Sequence, residues 1–154
     1  MSTYRANTEL VAQAWLSSLP FLNNGMVNPR LPEGIEKQDA AIASGFVTHV
    51  VVGGSPNIYV PEREPVLAVK AYGFPNVGGR KPQYDLASGL LESIVEATYD
   101  VDSFNAVLTL PSGYPTVQVQ QGHPVSEVRQ SYGDRAYWAV YMVEIQLIWR
   151  VFSG

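Results

Sequence analysis

Residues 137–152 read YWAVYMVEIQLIWRVF, and this stretch decides the fold. Its odd positions, Tyr137, Ala139, Tyr141, Val143, Ile145, Leu147, Trp149 and Val151, are apolar throughout. A period of two belongs to a β-strand, whose side chains alternate between faces, so the odd set is a core face. The even positions, Trp138, Val140, Met142, Glu144, Gln146, Ile148, Arg150 and Phe152, mix apolar with charged residues. They are more apolar than a solvated face needs. Either a second packing surface lies there, or helices of the same subunit cover both faces. The alternation alone does not separate these two readings.

Working backwards, the spacing predicts strands over 106–110, 117–120 and 125–132. Pro111-Ser112-Gly113, Gly122-His123-Pro124 and Tyr132-Gly133-Asp134 separate them as turns do in an antiparallel meander. Leu86, Leu90, Leu91, Ile94 and Val95 recur at helical spacing after Asp85, which predicts a helix from about 84 to 99. Another helix begins near Asn7 or Thr8, either of which can accept free first-turn amides. Leu10, Val11, Ala14 and Trp15 form its stripe, and Pro20 ends it. Between the helices, the run 46–52 is rich in β-branched residues and bounded by glycines, as in a strand buried on both faces. Gly54-Ser55-Pro56-Asn57 should break it, and 66–72 forms the next strand. Asn-Asn-Gly, Asn-Pro and Leu-Pro pairs make about 21–45 an irregular arm. The order α-β-β-α-β-β-β predicts a single α+β domain over 1–154. It is a mostly antiparallel sheet of about four to six strands with two helices packed on one side.

The chain of 154 residues is 46% hydrophobic and only 16% charged, against about 25% charged in an average soluble domain. That balance rules out a mainly disordered chain and favours self-association. A net charge of −4 argues against gripping nucleic acid, which takes clustered Lys and Arg. The absence of cysteine removes disulfides, thiolate metal sites and cysteine nucleophiles. No apolar run is long enough to span a bilayer, and the first residues lack a signal-peptide core, so a soluble, cytoplasmic chain is expected.

Residues placed for chemistry are few. His49 and His123 stand alone, and a lone strand or turn histidine is usually structural. Asp100-Val101-Asp102-Ser103-Phe104-Asn105 opens like a calcium loop, but Asn105 sits where that turn requires glycine and Pro111 where its glutamate belongs. Gly78-Gly79-Arg80-Lys81 precedes a helix, yet Pro82 follows where a phosphate loop has serine or threonine. Two cations offered to a partner are the simpler reading. Ser55 is followed by Pro56 and no second glycine, unlike a nucleophile elbow. Glu92 and Glu96, one turn apart, read as a solvated helix face. No cofactor, metal or catalytic residue is expected.

Several stretches resemble tail terminator proteins of long-tailed, siphovirus-type phages of actinobacteria. They are Ser2-Thr3-Tyr4-Arg5-Ala6-Asn7-Thr8-Glu9-Leu10-Val11-Ala12 with Ala14-Trp15-Leu16, and Gly45-Phe46-Val47 leading into Val51 to Pro61. Arg63-x-Pro65-Val66 and the closing Tyr141-x-Val143-x-Ile145-x-Leu147-x-Trp149-Arg150 belong to the same set. The resemblance implies a homohexameric ring in the virion, assembled in the host cytoplasm. Such a ring caps the major tail tube protein, stops tube growth and meets the head-completion or neck connector, while DNA passes through its lumen without specific binding. It implies assembly by complementary surfaces, with no enzymatic step and no membrane partner.

A ring needs two different adhesive surfaces on each subunit. The candidates are the even face of the last strand (Trp138, Met142, Glu144, Arg150), the proline-bracketed Glu62-Arg63-Glu64, and the cations Arg80 and Lys81 in the loop 73–82. Two rival readings remain. One is another neck protein, such as a head-closure connector. The other is a small-ligand-binding domain or enzyme with a site built from Tyr59, His49 and scattered carboxylates.

Overall fold

The structure is a computed structural model, and it describes residues 6–22, 25–56, 62–76, 81–131 and 138–152. The fold is α+β, as the periodicities predict. A six-stranded sheet, paired antiparallel throughout, runs in the order β1-β2-β6-β4-β3, with β5 beside β6. The strands are β1 (Phe46–Pro56), β2 (Glu62–Gly73), β3 (Val107–Leu108), β4 (Val117–Pro124), β5 (Arg129–Gln130) and β6 (Ala139–Val151). The helices are α1 (Thr8–Ser18), α2 (Asp39–Ser44) and α3 (Tyr84–Tyr99).

The last strand sits at the centre. β6 pairs with β2 along one edge and with β4 and β5 along the other. The chain is therefore not a simple meander: α3 crosses the sheet after β2, and the final strand inserts between β2 and β4. Val143, Ile145, Leu147 and Trp149 are buried on the face covered by α1 and α3. Val11, Ala12, Trp15 and Leu16 of α1, with Ala87, Leu91 and Ile94 of α3, supply the other half of this core. Burying each Leu or Ile contributes roughly 1.5–3 kcal/mol, so this face carries most of the folding energy. The α1 start is capped as its sequence suggests, the Asn7 side chain accepting from the Leu10 amide at 3.0 Å.

Four expectations are corrected. The run 46–52 is not buried on both faces. β1 is an edge strand, and Val50, Val51 and Val52 are 55%, 43% and 54% exposed. Only its first half, Phe46 to His49, is covered. A β-branched run records strand propensity and not position in the sheet, which explains the error.

Nor does β1 break at Gly54. A bulge between Val51 and Gly53 lets it continue to Pro56, paired with a β2 that begins at Glu62 and includes Pro65. Gly54 has φ +86, and a Cβ there would lie 2.2 Å from the Glu64 carbonyl oxygen, so only glycine fits. Ile58-Tyr59-Val60, a run from which pairing could resume after the glycines, lies outside the described residues.

The arm is not structureless either. It holds two 3-10 turns, Pro20–Leu22 and Ile35–Lys37, and the short α2. It is stitched to β1 by a parallel bridge between Val27 and Val47. Ile35, Ala41 and Ile42 pack on Phe46 and Phe74, with Tyr72 and Trp138 alongside. Phe46 and Tyr72 face away from Val47 and Ala71, so this second cluster covers one end of the sheet's other face. The expected strands 106–110 and 125–132 shrink to two paired residues each. Tyr132 onward in the latter lies outside the described residues.

Candidate assembly surfaces

Alternation along β6 places Val140, Met142, Glu144, Gln146, Ile148 and Arg150 on the face away from α1 and α3. Val140, opposite Tyr72 of β2, is buried. Beyond it the face opens, with Met142 to Ile148 half-buried and Arg150 exposed. Ala68, Lys70 and Val66 of β2 stand opposite Glu144, Met142 and Gln146. Val50 and Val52 of β1 extend the apolar part to the sheet edge.

Charges frame this face in a ladder. Glu62 pairs in register with Arg150, and Arg150 with Gln118. The Gln120 amide, oriented to suit both neighbours, donates to Glu62 Oε1 at 2.9 Å and accepts from Arg150 Nε at 3.2 Å. Arg129 Nη2 lies 3.1 Å from Glu144 Oε1, with both side chains partly exposed. Such a pair stabilises the monomer by at most about 1 kcal/mol, so it sets pattern more than stability. Glu144 is further fixed through its backbone amide, which donates to Ser126 Oγ at 2.9 Å.

The second exposed feature is the outer edge of β1. The Val47 amide and carbonyl point away from β2 and bond Met26 O at 2.9 Å and Asn28 N at 3.1 Å. Alternation aims the backbone groups of His49 and Val51 the same way. His49 is buried beneath α1, whereas Val51 is open. An exposed β-branched edge strand is a template for another chain.

Of the residues picked from sequence, Glu62, Met142, Glu144 and Arg150 share the open face, and alternation puts Glu64 there too. Arg63 pairs with Trp149 and so sits on the helix side. Trp138 is half-buried in the arm cluster, edge-on to Phe74 at 4.9 Å. Lys81 is exposed just before α3, away from this face. Arg80 lies outside the described residues, as do residues 1–5 of the resemblance. Sequence reading missed Val50 and Val52 because nothing in the run marks β1 as an edge. It missed Gln118 and Gln120 because only the register to Arg150 gives them a role.

The rival ligand site is not assembled. His49 is 2% exposed, its Nε2 lies 2.8 Å from Gln13 Oε1, and Gln13 in turn donates to Val27 O at 2.7 Å. The imidazole is thus a tie between α1, β1 and the arm. Burial pushes its pKa down to about 4, and Nδ1 has no hydrogen-bond partner among the described residues. Tyr59 lies outside the described residues. Among those described, no three His, Asp or Glu side chains come together as a metal site, and no helix is long and apolar enough to cross a membrane.

No protein-family model matches the sequence, and no curated relative matches it.

Proposed function

We propose that this chain is a structural virion protein, a tail terminator that forms a ring, six subunits as the resemblance implies, on the end of a long phage tail tube. The observation that carries the reading is the second face of the sheet. A face half apolar, framed by Glu62, Arg150, Arg129 and Glu144 and running into the exposed valines of β1, is a surface for a protein partner. Charge placed around apolar area selects partner and register more than it adds affinity.

The ring stops tube polymerisation on one side and meets the neck connector on the other, and DNA passes through its lumen. A chain with net charge −4 suits a conduit that must not hold its cargo. The protein works by complementary surfaces alone, without a catalytic residue.

The test mixes purified protein with tail tubes and images the ends by negative stain. Rings at tube ends, and tubes that no longer lengthen, are expected. A protein that binds capsid connectors and never tubes is instead another neck protein. One that binds neither contradicts the proposal.

A further inference from the structure

We infer that copies of this chain meet head to tail along α3, the groove where α1 and α3 end receiving the cationic, aromatic start of α3 from the next copy. This rests on the assembly reading above and names one of its interfaces, away from the open sheet face.

The groove consists of two adjoining hollows of about 270 and 440 Å³ that share Leu19, Pro20, Asp100 and Ser103. Its floor is apolar, with Trp15, Leu108 and Val119. That floor is preformed. The Trp15 ring stacks on Phe104 at 5.6 Å, and its Nε1–H donates to Ser103 O at 3.0 Å. Phe21 on the rim is 39% exposed.

The electrostatics of the groove run one way. Glu96, Asp100 and Asp102 line it. Neither α1 nor α3 carries a basic residue in its last turn to offset the negative end of the helix. Among the described residues none of the three carboxylates has a cation within 4.0 Å. Such a groove accepts a cation carried on an apolar body.

The start of α3 is such a body. Lys81 is exposed, Pro82 follows, and Tyr84 is 42% exposed at the positive end of the helix. Lys81 has no acidic partner within 4.0 Å among the described residues. Asp85, in the first turn, serves the positive end of its own helix. The 16 residues of α3, rising about 1.5 Å each, set groove and cation about 24 Å apart. Two copies cannot satisfy this groove face to face, since acid would meet acid. A head-to-tail contact brings opposite charges together and leaves both ends of each row free to join, as ring closure requires.

Two charge-reversed proteins test the inference. The first carries Glu96→Lys with Asp102→Lys, leaving Asp100, whose Oδ1 accepts from the Asp102 amide, in place. The second carries Lys81→Glu. Circular dichroism first establishes that each keeps its fold, and association is then read by light scattering and by imaging with tail tubes. Each variant alone should associate at least tenfold more weakly than wild type. An equimolar mixture should recover assembly, because each reversed groove then meets a reversed α3 start. Variants that assemble like wild type, or a mixture that recovers nothing, overturn this interface while wild-type rings keep the assembly reading intact. A wild-type chain that stays monomeric with and without tubes removes both.

Discussion

Glu62 and Arg150 face each other across the β2–β6 ladder, and the Gln120 amide of β4 spans the two. Three strands distant in sequence thus meet in one polar row at the open end of the sheet.

If that row sets register between subunits, Arg150→Glu should abolish assembly while hardly touching the monomer. Opposed charges across strands are worth roughly 0.2–1 kcal/mol, and Arg150 is exposed. We expect a melting temperature within a few degrees of wild type together with loss of rings at tube ends. A variant that unfolds, or one that caps tubes normally, removes Arg150 from the assembly surface.

Gly54→Ala should cost the monomer about 2 kcal/mol or more. The new Cβ meets the Glu64 carbonyl at 2.2 Å in a backbone with φ +86, and the bulge must give way. Urea unfolding reads this directly, and a loss under about 0.5 kcal/mol would mean that β1 does not continue through Gly53-Gly54.

Acid should weaken the fold through His49. Its pKa falls from 6.5 when unfolded to about 4 when folded, because burial disfavours the charged ring. The unfolded chain therefore takes up the proton first. The stability contribution of the neutral ring is complete above pH 6.5 and declines as pH falls towards 4, by about 3 kcal/mol at 1.36 kcal/mol per pH unit. His49→Gln, which cannot titrate, should lose about that much less between pH 7 and pH 4. Equal losses in the two proteins would show that the ring is solvated.

Phe74→Ala tests whether the arm is part of the fold. Phe74 is fully buried and holds Ile35, Ala41 and Ile42 against Phe46 and Trp138. The expected cost is about 3–5 kcal/mol, with limited proteolysis appearing first between residues 26 and 44. Unchanged stability with a protected arm would contradict the packing described for it.

The sheet's centre was legible in the sequence because an uninterrupted period of two over β6 has one explanation. The two long helices were legible because their apolar residues recur every three to four positions and Pro20 and Asp85 mark an end and a start. What was not legible depends on neighbours. The valines 50–52 look like a core strand in any context, and only the order β1-β2-β6 exposes them. The prolines and glycines of 21–45 read as loop, yet Ile35, Ala41 and Ile42 find a partner in Phe74, far along the chain. Likewise, even positions of β6 announced a mixed face, but which charges would join them followed from register. Arg63, one residue from Glu62, turned to the opposite side.

The proposed terminator function requires this protein to assemble on a tail tube. Its most direct test is the solution mass by light scattering, measured beside negative-stain images of the protein with and without tubes. Closed rings in solution, or a monomer that forms rings only at tube ends, are expected. A monomer that stays monomeric and leaves tube ends bare and growing would contradict it.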